Sequence, residues 1–294
     1  MSKNVYEMVT DRIIEALENG QIPWAWEKPW GGTFDRAYNR VSKRPYSLLN
    51  QLLLKHKYGE YATLKQWNEL GGKIRKGEKA EFVVFWKINE YTEKNADGED
   101  VKRVVPILRY YNVFHVSQVE GIDPLERPTR EHEPIAEAEK VLRDYINREG
   151  ILFEECITDE AYYSPSRDLV HVPSRQQYQR IEEFWSTTYH ELLHSTGHSS
   201  RLARLDGSAN SHFGSESYSK EELVAEIGSA MILNMLGIET THSFKNSSAY
   251  IQNWLQVLRN DSHFIVSASA RAEKAVEYIM HGKQTADANT QTAV

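Results

Sequence analysis

The stretch that most constrains the fold lies between Tyr178 and Gly197 and reads YQRIEEFWSTTYHELLHSTG. It holds no proline, and its apolar residues recur at helical spacing, so the pattern predicts one long amphipathic helix that ends at the glycine. His190 and His194 are four residues apart and therefore lie on the same face of this helix. Two imidazoles placed in this way can supply two ligands to a zinc-like ion.

Glu191 directly follows the first of these histidines. We expect it to face the open position of the metal ion and to act as the catalytic general base. The histidine-led site predicts Zn²⁺ as the cofactor, and the same ligand types also accept Mn²⁺ or Co²⁺. A catalytic site of this kind needs a third protein ligand and leaves a fourth place for water.

The next predicted helix contains EELVAE, residues 221–226, with Glu222 and Glu226 on one face. One of the two is expected to bind the metal and the other to accept the N–H of a ligating histidine. The order Glu222-Leu-Val-Ala-Glu226 is similar to that of glutamate-ligand zincins, so we favour Glu222 as the ligand. The spacing leaves Glu226 open as the alternative. Glu221 is expected to lie off this face.

Other polar residues near the motif are weaker candidates. Ser200 stands where a third histidine would occur in a metzincin pattern, and His198 lies just past the glycine that ends the helix. His212 and Tyr218, between the two predicted helices, are candidates for stabilising an oxyanion.

The first half of the chain is rich in aromatic and basic residues. Residues 28–87 hold 13 basic and 5 acidic side chains, although the whole chain has a formal net charge of −7. Single-stranded nucleic acid is bound by rings that stack on bases and by cations that follow the phosphates. The mixture predicts single-stranded-DNA binding with little base preference. The predicted DNA-binding residues are Trp24, Trp26, Trp30, Arg40, Lys43, Arg44, Lys73, Arg75, Lys76 and Lys79. Three other aromatic residues, Trp67, Phe82 and Phe85, are expected in the core.

These patterns predict an α+β protein of two domains. An aromatic and basic α+β DNA-binding domain is expected over residues 1–125, followed by a proline-bearing linker over 126–135. A mainly helical, zincin-like metallopeptidase domain is expected over 136–282, and a polar, disordered tail over 283–294.

Cys156 is the only cysteine of the sequence, which excludes an intramolecular disulfide and a thiolate metal cluster. No apolar run approaches the roughly 18 residues of a membrane span, and the first residues lack the pattern of a signal peptide. We therefore expect a cytoplasmic protein without a membrane partner.

Several stretches resemble the ArdC family of plasmid antirestriction proteins. In the first half they are VTDRIIEALENGQIPW, RPYSLLNQLLL, LKQWNELGGKIRKGEKAEFVVFWK and YNVFHVSQVEGID, and in the second half YHELLHSTGHSSRL, FGSESYSKEELVAEIG and YIQNWLQVLRNDSHFI. The resemblance covers nearly the whole chain. It implies a single-stranded-DNA-binding domain, a metallopeptidase-like domain, and protection of incoming conjugative plasmid DNA from host restriction. The implied protein substrate is unknown; restriction subunits or DNA-linked proteins are our hypothesis.

Two other functions are compatible with parts of the sequence. One is a protein that protects single-stranded DNA by binding alone and whose metal site is structural or accessory. Glu191 argues against it, because a structural site needs no carboxylate at an open position. The other is a metal-dependent nuclease, which is disfavoured because Mg²⁺ sites are built from clustered carboxylates rather than histidines.

Overall fold

The computed structural model describes residues 4–25, 36–94, 100–125, 134–205, 216–239 and 248–282. The helices of this part of the chain are α1 (Val5–Glu18), α2 (Leu48–Leu53), α3 (Leu64–Glu69), α4 (Pro134–Glu149), α5 (Ile181–Thr196), α6 (Glu216–Met235), α7 (Ser248–Asn260) and α8 (Phe264–His281). The strands are β1 (Tyr38–Asn39), β2 (Glu60–Ala62), β3 (Lys73–Ile74), β4 (Glu81–Lys94), β5 (Asp100–His115), β6 (Val119–Glu120), β7 (Leu152–Cys156), β8 (Tyr162–Ser164) and β9 (Leu169–Pro173).

The larger sheet of the N-terminal half has the strand order β1-β2-β5-β4, and β3 pairs with β6 in a separate two-stranded sheet. The main feature of the larger sheet is a long antiparallel ribbon of β4 and β5, paired from Glu81 opposite Val113 to Lys94 opposite Asp100. Both strands are rich in β-branched and aromatic residues, which favour extended backbone. The two strands predicted from the sequence in this region are confirmed.

The C-terminal half combines a small sheet with long helices. The sheet has the order β7-β9-β8, in which β7 runs parallel and β8 antiparallel to β9. Strand β9 packs against α5, which carries the two histidines of the motif. Strands β7 and β9 agree with the sequence prediction, whereas the three-residue strand β8 was not predicted. Such a short segment has too few positions to reveal an alternating pattern.

The two halves form the predicted two-domain α+β architecture, and they share one hydrophobic core. Buried residues of α1 and α2, such as Val9 and Leu48, belong to the same cluster as buried residues of α6, α7 and α8. Polar contacts also cross between the halves: the hydroxyl of Thr10 donates to the carbonyl of Ser262 at 2.8 Å. The N-terminal helices are therefore packed onto the helices of the C-terminal half.

The predicted domain boundaries stay predictions. Helix α4 begins at Pro134, inside the segment predicted as a linker, while residues 126–133 and the predicted tail, 283–294, lie outside the described residues. None of the helices in the described ranges is both long enough and apolar enough to cross a membrane.

Candidate metal centre

Helix α5 ends at Gly197, as the sequence predicts. The usual reason for a glycine at the end of a helix is that it adopts left-handed backbone. Gly197 has φ −75°, which any residue can adopt, so left-handed backbone is not what requires glycine there. A Cβ atom at this position would lie 2.8 Å from Cγ of Leu205. The close return of the following loop therefore explains the glycine, and that loop brings Arg204 back to the end of α5.

Close packing of α5 against α6 depends on a second glycine. A Cβ atom at Gly228 of α6 would lie 2.6 Å from Cδ1 of Leu193 on α5. Leu193 is fully buried, so its side chain has little room to move away. The absence of a side chain at Gly228 lets the two helices approach, and this approach sets Glu222 opposite the histidines.

His190, His194 and Glu222 bring their ligand atoms together. The Nε2 atoms of the two histidines are 3.1 Å apart. The Glu222 carboxylate approaches Nε2 of His190 at 3.4 Å and Nε2 of His194 at 3.3 Å. All three side chains are largely buried, with exposed fractions of 17, 14 and 12%.

These distances fit a tetrahedral metal ion. Ligand atoms bonded to zinc at about 2.0–2.1 Å in tetrahedral geometry lie about 3.3 Å from one another. The two Nε2 atoms are 3.1 Å apart, and the Glu222 carboxylate comes near this edge length to both of them, through Oε2 to His190 at 3.4 Å and through Oε1 to His194 at 3.3 Å. Two imidazole nitrogens and one carboxylate oxygen are also a donor set that suits Zn²⁺ and neighbouring transition metals. The residues therefore fit the ion that the sequence predicts.

A carboxylate lies beyond each imidazole ring, on the side of Nδ1. Oε1 of Glu226 is 3.9 Å from Nδ1 of His190, and Oε1 of Glu221 is 3.6 Å from Nδ1 of His194. The expectation that Glu221 lies off the site face was wrong. The side chain of Glu221 is turned toward His194 by Arg204, which donates to its carboxylate at 2.8 Å. The position of the Glu221 side chain depends on the loop after α5, so the spacing of residues along α6 could not predict it.

The carboxylates make the site electrostatically negative. Burial alone would lower the pKa of His194, but Glu221 and Glu222 outweigh burial and raise this pKa to about 10. The pKa of His190 is also raised, because Glu222 outweighs the effect of burial there. Burial raises the pKa of Glu226. Each of these shifts favours additional positive charge in the cluster, and a divalent cation supplies such charge.

Glu191 is only 8% exposed. Both histidines lie near enough for the charge of Glu191 to raise their pKa values. Its position beside the ligand cluster is compatible with the role of general base that the sequence predicts.

The weaker candidates contribute no ligand atoms within the described ranges. Nδ1 of His198 is 2.8 Å from the hydroxyl of Ser200, and neither residue belongs to the group of converging ligand atoms. His212 lies outside the described residues, and for Tyr218 only the helical backbone of α6 is described.

The predicted DNA-binding residues fall into four groups. Trp24 is fully buried, with its ring centroid 5.1 Å from that of Trp254, so a base cannot stack on it in this structure. Arg40 forms an ion pair with the buried Glu60 and is only 15% exposed, which makes it a structural residue. Trp26 and Trp30 lie outside the described residues. The six remaining cations are exposed: Lys43, Arg44, Lys73, Arg75, Lys76 and Lys79.

Of the three aromatic residues expected in the core, Trp67 is fully buried and Phe82 is partly buried against the main cluster. The expectation for Phe85 was wrong, since its side chain is 44% exposed. Phe85 lies on β4 next to Tyr46, with ring centroids 6.2 Å apart, and this contact leaves much of its ring exposed.

Two of the exposed cations line a cleft of about 600 Å³ in the N-terminal half. Arg75 and Lys79 share its wall with Arg12, Lys55 and His56, and the acidic residues of the lining are Glu78 and Glu81. Sequence reasoning did not select Arg12, because it belongs to an amphipathic helix whose charged residues look like an ordinary solvated face.

Fold and site together define a zincin-like metallopeptidase domain that follows an N-terminal α+β domain. Residues 140–271 match the family described as zincin-like metallopeptidase, and residues 3–114 match the N-terminal domain of anti-restriction factor ArdC. The chain belongs to the ArdC family.

Solved structures similar to this chain come from the same family. The metal-free structure of antirestriction ArdC protein from plasmid R388 has 31% identity and a TM-score of 0.74, and the match covers 98% of this chain and 99% of that protein. The Mn(II)-bound structure of the same protein has 29% identity and a TM-score of 0.73, with coverage of 95% and 98%.

Relatives include longer proteins. The chain is 33% identical to a DNA primase TraC of Escherichia coli over 100% of its own length, which is 29% of that protein. A second primase TraC of Escherichia coli has 33% identity over 96% of the chain and 20% of its own length. The uncharacterized protein y4eC of Sinorhizobium fredii (strain NBRC 101917 / NGR234) is 31% identical, with coverage of 96% of the chain and 93% of that protein. The chain thus spans less than a third of the two primases.

Proposed function

We propose that this protein is a metal-dependent peptidase that binds single-stranded DNA and protects incoming plasmid DNA from restriction. The observation that carries the peptidase part is the convergence of His190, His194 and Glu222, whose ligand atoms all lie within 4.8 Å of one another. A site of three protein ligands, with Glu191 beside it, is the arrangement of a catalytic rather than a structural metal centre.

In this proposal His190, His194 and Glu222 hold the ion, with Zn²⁺ as the first choice and Mn²⁺ or Co²⁺ as alternatives. When bound, the ion supplies a Lewis acid for the hydrolysis of a peptide bond. Glu226 and Glu221 lie beyond the two histidines and keep the Nε2 atom of each ring directed at the site. Both rings then present Nε2 as the ligand atom for the ion.

Glu191 is the general base of this proposal. Its carboxylate accepts a proton from the attacking water and passes it to the amine that leaves when the peptide bond breaks. The residue is only 8% exposed, and a largely buried position strengthens the electrostatic interaction of this carboxylate with the reacting groups.

The DNA-binding part of the proposal is supported by the family match of residues 3–114 and by the exposed cations of the same half. Arg75 and Lys79 lie in the cleft with Arg12 and Lys55, a concentration of positive charge suited to phosphate groups. A peptidase held on single-stranded DNA acts on proteins that lie on or near the same strand. Restriction subunits and DNA-linked proteins belong to this substrate class.

The test compares wild-type protein with Glu191→Gln, which keeps the shape of the side chain and removes the base. We expect Glu191→Gln to retain metal and single-stranded DNA and to lose both proteolysis and protection in a conjugation assay. Metal content and binding of a labelled oligonucleotide serve as controls for folding. If Glu191→Gln protects incoming DNA as well as wild type does, the protein protects by binding and the peptidase part of the proposal is wrong.

A further inference from the structure

The β4–β5 ribbon extends well beyond the rest of its sheet. Strand β2 pairs with β5 only at Phe114 and His115, the last residues of that strand. From Phe85 to Lys94, strand β4 pairs with β5 alone in the part of the chain that the structure describes. A two-stranded ribbon is only marginally stable by itself. Exposed apolar side chains on such a ribbon therefore indicate a surface that binds a partner.

Alternation of side chains gives the ribbon two different faces. On one face, Phe85 lies opposite Arg109, and Tyr91 lies opposite Arg103. On the other face, Ile88 lies opposite Pro106, and Trp86 of that face contacts the ring of Tyr6 in α1 at 6.3 Å between ring centroids. The second face therefore lies on the side of the N-terminal helix, and the first looks away from it.

The first face, here named the ring-and-cation face, carries Phe85, Lys87, Tyr91, Arg103, Arg109 and Tyr111, and Asn89, Glu93, Val101, Val105 and Ile107 share it. Its three rings are 44, 48 and 46% exposed for Phe85, Tyr91 and Tyr111. Its three cations are exposed as well. The rings of Phe85 and Tyr111 form an edge-to-face pair with centroids 6.0 Å apart, which holds both rings in place without covering them.

We propose that this face is the platform on which single-stranded DNA lies, with bases stacked on the three rings and phosphates next to the three cations. The inference rests on the proposed single-stranded-DNA binding and adds a surface for base stacking that is separate from the basic cleft of Arg75 and Lys79. Of the tryptophans to which the sequence assigned stacking, Trp24 is buried, whereas this ribbon presents three exposed rings. Phe85 and Tyr91 are six residues apart on one strand, about 20 Å, a length that spans several stacked nucleotides.

Charge favours a nucleic acid over a protein partner. Each of Phe85 and Tyr91 has an arginine as its cross-strand neighbour, and Lys87 lies between them along the strand. Within the described part of the ribbon, the acidic side chain that shares this exposed face is Glu93, which pairs with Arg103 at 3.3 Å while both side chains are more than half exposed. Such an exposed pair contributes little stability, so a phosphate can replace the carboxylate.

The experiment measures binding of a labelled oligo-dT by the full chain at fixed salt. The variants are Phe85→Ala, Tyr91→Ala and Tyr111→Ala. We expect each to weaken binding by about fivefold to a hundredfold, the range that loss of one stacked base produces. Tyr91→Phe and Tyr111→Phe keep the ring and should bind as wild type does.

Matched controls lie on the opposite face of the same ribbon. Ile88→Ala and Val104→Ala remove side chains that are 41 and 55% exposed, and they should leave binding unchanged. Ultraviolet crosslinking of bromodeoxyuridine-substituted oligonucleotide, followed by mass spectrometry, should find adducts on rings of the ring-and-cation face.

The outcomes distinguish a wrong location of the DNA-binding surface from a failure of single-stranded-DNA binding itself. If wild type binds the oligonucleotide and all three ring variants bind it equally well, the location is wrong and single-stranded-DNA binding itself stands. If wild type binds no single strand, the DNA-binding part of the proposed function fails and this inference fails with it. If the ring variants change only the sedimentation of the protein, the face joins two copies of the chain and the inference is likewise overturned.

Discussion

Oε1 of Glu221 lies 3.6 Å from Nδ1 of His194, on the side of the ring away from the nitrogen that approaches Glu222. Arg204 donates to the Glu221 carboxylate at 2.8 Å and to the carbonyl of Leu193 on α5 at 2.9 Å. One guanidinium therefore ties this carboxylate to the helix that carries the histidine. Such an outer carboxylate orients a metal-binding imidazole and raises its basicity.

Loss of this outer carboxylate should weaken metal binding. We expect Glu221→Ala to lower the affinity for Zn²⁺ by about 10-fold to 100-fold, because His194 is then held less firmly. Competition with a chromophoric chelator measures the affinity directly. Glu160→Ala, at an exposed position of the same half, is the control and should bind as wild type does. Equal affinities for Glu221→Ala and the control would contradict a positioning role for Glu221.

Substitution of Glu222 and substitution of Glu226, the two glutamates of α6 that lie closest to His190, should reduce metal binding to different extents. Glu222 approaches both Nε2 atoms, whereas Glu226 approaches only Nδ1 of His190. We therefore expect Glu222→Ala to retain almost no metal and Glu226→Ala to lose about 10-fold to 100-fold in affinity. Metal content after dialysis against a weak chelator separates the two cases. The opposite ranking would make Glu226 the ligand.

Acid should destabilise the protein partly through Glu60, which is 1% exposed in its ion pair with Arg40. Burial would raise the pKa of Glu60, but the backbone N–H of Leu125 and the guanidinium of Arg40 outweigh it and lower the pKa below its ordinary 4.5. A carboxyl group with a lowered folded-state pKa stabilises the fold fully above about pH 4.5, and this contribution is lost as the pH falls through the folded pKa.

Glu60→Gln should therefore lower the free energy of unfolding at neutral pH by about 3–5 kcal/mol, because Arg40 keeps its charge without its partner. Below about pH 4.5 the difference between this variant and wild type should shrink. Urea unfolding of metal-free protein across this pH range measures both effects. A difference that stays constant with pH would show that Glu60 is not charged in the folded protein.

Salt dependence should reveal which cations contact phosphates. Removal of one phosphate contact to a single strand lowers the slope of log K against log salt by about 0.7 in magnitude. We expect this change for Lys79→Gln, whose side chain lines the basic cleft. Lys140→Gln changes an equally exposed lysine on α4 in the C-terminal half and should leave the slope unchanged. An unchanged slope for Lys79→Gln would remove the cleft from the DNA-binding surface.

The sequence by itself determined the local structure and the first half of the metal site. Helix α5 follows from its apolar spacing, and two histidines four residues apart on a helix must share a face, because the helix repeats every 3.6 residues. The long strands β4 and β5 follow from their β-branched and aromatic content. In each of these cases the information lies within one element, so neighbouring residues are enough to predict it.

Only the tertiary structure decided which residues of different elements meet. Glu221 turns toward His194 because a loop that closes over Gly197 places Arg204 beside it, and residue spacing on α6 carries no trace of that loop. Trp24 is buried because α7 packs against it, although its neighbours in the sequence are typical of a DNA-binding surface. Phe85 is half exposed because Tyr46, which belongs to the cluster that buries Val83 two residues earlier on the same face, contacts only one side of its ring. Burial and long-range contact depend on what lies across the fold, which a local pattern does not encode.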